Sequence, residues 1–208
     1  DILEDIKAGA ERQVYELLKR MDRSRFEASL YILHQKDCPK EISDLGLICR
    51  PLGLKRIYDP RGIVGGFNFS GVLRRQKVDV VLTYHFASDI WGAIFGKIAG
   101  VRTIISSRRD VGFWRGRSHI RAYKVVNNLA RKIVTVSEAV KRMAVEEEGV
   151  RPEKVKVVYN GVDLNRFEVR RQKPEVRKDL KIAETDKVIC AVGNFNSETK
   201  GQRYLIEA

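Results

Sequence analysis

Short apolar runs rich in β-branched residues alternate along this chain with stretches whose apolar residues recur at helical spacing. That alternation confines the chain to a parallel sheet flanked by helices. The plainest run is Val78–His85, VDVVLTYH, nearly continuous in apolar character through Val78, Val80, Val81 and Leu82, as a strand covered on both faces must be. Further strands are expected at Ser29–Leu33, Leu47–Cys49, Arg102–Ser106 and Lys132–Val136. The intervening helices fall at Glu11–Met21, Lys40–Leu45, Arg61–Gln76, Ser88–Ile98, Ser118–Leu129 and Glu138–Glu148, the last capped by Ser137 and ended by Gly149.

The stretch VKVVYNGVDLNRF, Val155–Phe167, closes this series. It reads as a strand through Val155, Val157, Val158 and Tyr159, a tight turn at Asn160-Gly161, and a short helical start capped by Asp163. The composition then turns to EVRRQKPEVRKDLKIAETD, charged and without an apolar strand, which is how a linker reads. A new strand, KVICAV, runs from Lys187 to Val192 into Gly193. The expected organisation is a first domain over 1–167, a linker over 168–186, and the first strand, loop and helix of a second domain over 187–208.

Several function classes drop out on simple grounds. Cys38, Cys49 and Cys190 are odd in number and lack C-x-x-C spacing, so neither a disulfide framework nor a zinc site is expected, and a reducing, cytoplasmic setting fits. No uncharged apolar run approaches the roughly 18 residues of a membrane span. The beginning, DILEDIKAG, carries acids and has no signal-peptide core. No G-x-G-x-x-G triplet supports a dinucleotide-binding oxidoreductase. The net charge is +13, and nine Lys or Arg against one Asp lie between Arg102 and Lys132. Such a block fits contact with phosphates, of lipid, nucleotide or nucleic acid, or else a solvated basic face.

The string VTVSEAVKRMAVEEEGVRPEKVKVVYNGVDLNRF resembles the signature of the family 4 glycosyltransferases of the GT-B fold. The opening GAERQVYELL and the closing AVGNFNSETKGQRYLIEA are similar to two further landmarks of that family, in the same order. The resemblance implies an α/β fold: a Rossmann-like N-terminal domain with helices on both faces of its parallel sheet, followed by a truncated second Rossmann-like domain. It also implies transfer of a hexosyl group from a nucleotide-sugar donor to a hydroxyl acceptor, a glycan or a lipid-linked one, with retention and without a metal or other cofactor. By the same comparison a hydrophobic first strand should precede Gly9, so the chain reads as a piece cut at both ends and inactive alone. The expected setting is cytoplasmic, peripheral on the inner face of an anionic membrane; nucleic acid is not an expected partner.

Candidate site residues follow from position and from the resemblance together. His85 stands at the carboxyl end of a central strand, the edge at which open α/β sheets bind ligands, and is the candidate catalytic residue. Arg108, Arg109 and Asp110 end the next strand at the same edge, where many relatives place a His; two guanidiniums suit a phosphate or carboxylate, with Asp110 holding one of them. With Trp114 they form the expected acceptor site; Trp114, Phe113 and His119 either stack on a sugar or touch lipid, or plug the core. The small residues Gly9 and Ala10 let a ligand approach a helix N-terminus, and Lys200-Gly201 stands at another. The resemblance assigns Gly9, Ala10, Asn194, Lys200 and Gly201 to the donor diphosphate. The rival reading is a basic anion-binding module, for a membrane surface or nucleic acid, without catalysis.

Overall fold

The strand and helix periods are realised nearly where the sequence places them. The computed structural model describes residues 9–112, 114–167, 173–193 and 201–208. In chain order the first unit carries α1 (Gly9–Arg20), β1 (Ser29–Ile32), α2 (Lys40–Ser43), β2 (Ile48–Pro51), α3 (Pro60–Arg75), β3 (Val80–Tyr84), α4 (Phe86–Ile98), β4 (Thr103–Arg108), α5 (Arg117–Leu129), β5 (Lys132–Thr135), α6 (Glu138–Glu146) and β6 (Val155–Val157). Strands β3, β4, β5 and β6 lie side by side in sequence order, all parallel, with Val81 opposite Ile104 and Ile105 opposite Lys132. Parallel neighbours require a crossover, and α4, α5 and α6 supply one each. A separate parallel pair joins β1 to β2. The fold is α/β, with helices on both sides of parallel strands.

Local chemistry sets the helix starts. Asp59 caps α3 by accepting from the Gly62 N–H at 2.7 Å, and Pro60 takes the first helical position, where its missing N–H costs nothing. Ser137 caps α6 through Val140 N–H as expected. Beneath the helices lies a core in which Ile104, Ile133, Val126 and Ala93 are fully buried around Trp91, Phe69 and Phe95. Each large side chain so buried contributes about 1.5–3 kcal/mol. Gly66 is what lets α3 meet α4, since a Cβ there would overlap the Phe95 ring.

Four expectations give way. Cys38, in the connection after β1, and Cys49, within β2, are joined in a disulfide with 6.2 Å between their Cα atoms; Cys190 is free. The ground for expecting a reducing compartment is thereby removed. Asn160-Gly161 does not form a positive-φ turn; neither residue is among the left-handed positions, and both are used through their polar groups instead. Lys187–Val192 forms no strand, and its Ile189 and Val192 are exposed. A strand needs a neighbour to satisfy its backbone, and none pairs with it among the described residues. Part of the expected linker is helical, as α7 (Lys173–Asp179), with Glu175 in its first turn and Arg177 and Lys178 in its last, the charge order a helix dipole favours.

The second compact unit spans Val162–Ala208. It holds a short 3-10 turn at Leu164–Phe167, α7, and α8 (Gln202–Glu207). No helix among the described residues is long and apolar enough to cross a membrane.

Candidate functional site

At the carboxyl edge of β3 and β4 lies a cavity of about 330 Å³ lined by His34, His85, Ser107, Arg109, Trp114 and Tyr123, among others. The parallel sheet puts it there: each strand ends at this edge and hands the chain to a loop or helix start. His85 leaves β3 with φ +68° and ψ 161°, a region nearly reserved for glycine, and α4 begins at the next residue. This strained backbone turns the imidazole toward α1, where its Nε2 lies 3.7 Å from Glu11 Oε1. Burial lowers the His85 pKa, opposed by the Glu11 carboxylate, so the ring is neutral at pH 7. Its Nε2 is buried and without a hydrogen-bond partner among the described residues.

Arg109 points to the cavity and is held from two sides. Its guanidinium donates to Asn160 Oδ1 at 2.8 Å and lies 5.7 Å from the Tyr84 ring centroid. Burial draws its pKa down, with Tyr84 and Glu11 pulling the other way. Trp114 is half-exposed and meets Phe86 and His119 edge-on, at 5.8 and 5.3 Å between centroids. His34 follows β1; its Nδ1 lies 2.7 Å from the Leu54 carbonyl, which only accepts, so Nδ1–H donates to it. Ser107 is 3% exposed, and its Oγ has no partner among the described residues. Together these groups offer a cation, two imidazoles, a buried hydroxyl and an indole face, a set that suits a hydroxylated, anionic ligand.

Arg108 also lines the cavity, but alternation along β4 turns its guanidinium inward, and only 3% of it is exposed. Its guanidinium donates to Asp89 Oδ2 at 2.7 Å, to Glu148 Oε2 at 3.1 Å, to Asn127 Oδ1 at 3.0 Å, and to Ser106 Oγ. The Tyr123 ring covers it, with 3.8 Å from centroid to Cζ. The carboxylates that hold it are Asp89 and Glu148, not Asp110, which is exposed. Asp89, fully buried, is pushed up to about 6 by burial, against the pull of Arg108 and of hydrogen bonds from Ser106 and Thr83. Burial likewise raises the Tyr123 phenol.

Of the other candidates, Asp110 lines the cavity. Gly9 and Ala10 form the first turn of α1 rather than a loop before it. Gly201 caps α8 in the left-handed region within the second unit. Asn194, Lys200 and Phe113 lie outside the described residues. Glu11, His34, Ser107 and Asn160 were not singled out as site residues. His34 carried a legible signal, because it directly follows an apolar strand just as His85 does. Among the described residues, no group of three or more His, Cys, Asp or Glu could hold a metal ion.

With this geometry in place, comparison with known proteins is informative. Residues 8–166 match the model of Glycosyltransferase Family 4. A UDP-Gal:alpha-D-GlcNAc-diphosphoundecaprenol alpha-1,3-galactosyltransferase of Escherichia coli is 27% identical over 168 residues, covering 77% of this chain and 42% of that protein. Among solved structures, Anabaena Alr3699/HepE in complex with UDP superposes with a TM-score of 0.66 at 18% identity, over 84% of this chain and 47% of its own. A glycosyltransferase from Rickettsia africae ESF-5 gives 0.64 at 16% identity, over 88% and 48%. Likenesses at such identities speak to the fold. The chain spans less than half the length of these relatives.

Proposed function

We propose, from the premise that this chain belongs to glycosyltransferase family 4, that it builds the acceptor side of an enzyme moving a hexosyl group from a nucleotide-sugar to a hydroxyl, with retention and without a metal. The observation that carries this reading is the cavity at the β3–β4 edge, where a neutral imidazole and a buried hydroxyl stand unpartnered beside one restrained guanidinium. His85 orients the acceptor hydroxyl through Nε2. The new bond joins that oxygen to the anomeric carbon, the bond from that carbon to the diphosphate breaks, and the nucleoside diphosphate leaves with the electron pair and takes the hydroxyl proton on its freed phosphate oxygen. Arg109 holds a phosphate of the acceptor, and Trp114 packs on a sugar ring. The donor diphosphate is assigned, by resemblance, to Gly9, Ala10, Asn194, Lys200 and Gly201.

The relatives' names narrow the classes. The E. coli relative is named for a lipid diphosphate acceptor, and the Anabaena structures for UDP and UDP-glucose. We therefore read the donor as a UDP-hexose and the acceptor as a diphosphate-linked lipid at the cytoplasmic face of a membrane. Exposed Tyr58, Ile63, Val64 and Phe67, at the start of α3, and exposed Arg117, Arg121 and Lys124 on α5 supply apolar and cationic surface for that setting.

The test is transfer from a panel of UDP-hexoses to a polyprenyl-diphosphate-linked sugar, in EDTA, by the protein that carries this chain. Activity should survive EDTA, fall about 100-fold in His85→Ala, and show an acceptor KM raised about tenfold or more in Arg109→Ala. No turnover with any donor, together with salt-dependent binding to anionic vesicles, would replace this reading with a basic binding module.

A further inference from the structure

Four buried charges, Arg108, Arg115, Asp89 and Glu148, cluster at the cavity, whose lining includes the two arginines. The segment from β4 to α5 carries Arg109 and Trp114, and a connection of this kind is ordinarily the least restrained part of a site. Here a single side chain folds back beneath it. The Arg115 guanidinium donates to the Val111 carbonyl at 3.0 Å and to Glu148 Oε1, its Nε lies 3.4 Å from the Gly112 carbonyl, and its backbone N–H closes on the same Gly112 carbonyl at 3.0 Å. Only 3% of the Arg115 side chain and none of the Glu148 side chain is exposed.

Glu148 is itself held. Arg108 Nε donates to it at 3.1 Å, and Asn127 Nδ2 at 3.4 Å, which ties it to β4 and α5. The Tyr123 ring packs against both guanidiniums, at 3.8 Å from Arg108 and 5.5 Å from Arg115. Gly112 completes the arrangement: its φ is +69°, and a Cβ there would occupy the place of the Arg115 guanidinium. The other end of the segment is tied by Arg109 to Asn160.

We infer that Glu148 acts through Arg115 as a positioning residue, clasping residues 109–112 and 114–116 so that Arg109 and Trp114 stand at the cavity. The carboxylate touches no ligand; it fixes the side chain around which the segment is wrapped. The consequence for catalysis rests on the acceptor reading of the cavity, whereas the clasp does not.

The experiment is hydrogen–deuterium exchange by mass spectrometry on this chain and on Glu148→Gln, Arg115→Lys and Gly112→Ala. Amides in the 109–117 region should exchange about tenfold faster or more in Glu148→Gln and Gly112→Ala, and less so in Arg115→Lys, with β4 and α5 still protected. Acrylamide quenching adds a local readout, because Trp91 is 3% exposed and the quenchable emission belongs to Trp114; it should rise in the same order. In the full enzyme the acceptor KM should rise while kcat stays within about twofold. If Glu148→Gln fails to fold, Gly112→Ala, which removes no charge, decides the matter. Unchanged exchange in every folded variant overturns the inference, as does a loss of protection spread evenly over β4, α5 and α6. Local release in a protein that transfers no sugar would uphold the clasp and remove only the acceptor reading.

Discussion

Replacing Arg108 by Met tests whether this residue is a ligand contact or a buried counter-ion. Its removal leaves Asp89 buried beside Thr83 and Ser106 with no cation, whereas Glu148 keeps Arg115 and Asn127. Breaking a buried pair from one side costs about 3–5 kcal/mol. The cost must depend on pH, and the sign follows from Asp89. In the fold it keeps its proton up to about pH 6, against 3.8 for an ordinary Asp. Its protonation therefore contributes stability that is whole below pH 3.8 and is lost as pH rises through about 6, a term of about 3 kcal/mol. Without Arg108 the carboxyl rises further, so the loss moves to higher pH and the charged form at pH 8 is costlier still. Urea unfolding followed by tryptophan emission reads the difference, since Trp91 and Trp114 both belong to the first unit. At pH 8 a loss of about 4 kcal/mol shifts the midpoint by about 2 M for a slope near 2 kcal/mol/M. At pH 5, where Asp89 is mostly neutral with or without Arg108, the shift should be less than half as large. Shifts below about 0.5 M at both pH values, or equal ones, would refute the counter-ion role of Arg108 and leave it as a ligand contact.

Three further outcomes are expected. His85→Gly should be more stable than His85→Ala by about 1–3 kcal/mol in thermal or urea unfolding, since only Gly relaxes at φ +68°, ψ 161°; the reverse order would deny the strain. Without reductant the folded protein should show one reactive thiol, Cys190, and Cys38→Ser should cost about 3 kcal/mol for opening a loop of 11 residues' separation. Three reactive thiols in the untreated protein would contradict the bridge. Gly66→Ala should lower stability by about 1–3 kcal/mol by pushing α3 off the Phe95 ring, measured as a lower Tm with unchanged far-UV dichroism.

Strand β3 was legible as an apolar run, but it is not covered on both faces as that run suggests: Val81 and Thr83 are buried, while Val80 and Leu82 are exposed. The carboxyl edge of β3 and β4 was legible from where those runs end, and the cavity lies there, with His85 and Arg109 in its lining. What the sequence concealed is polar burial. Ser106, Ser107 and Arg108 extend β4 beyond the apolar run Thr103–Ile105, and no hydropathy pattern marks an Arg whose partners, Asp89 and Glu148, are 19 and 40 residues away. Asn160 was legible only as a turn residue, since its bond to Arg109 spans 51 positions. KVICAV failed for a different reason. Its residues have strand character, but strand character becomes a strand only beside a second one.

All three histidines of the chain gather at one place: His34 and His85 line the cavity, and His119 stacks against Phe86 and Trp114 at its rim. The imidazole protons of this protein are thus a built-in spectroscopic label. A one-dimensional proton spectrum carries three Cε1–H resonances, one from each histidine of the chain, so occupancy of the cavity can be followed in unlabelled protein, in dilute solution, and against any compound offered to it.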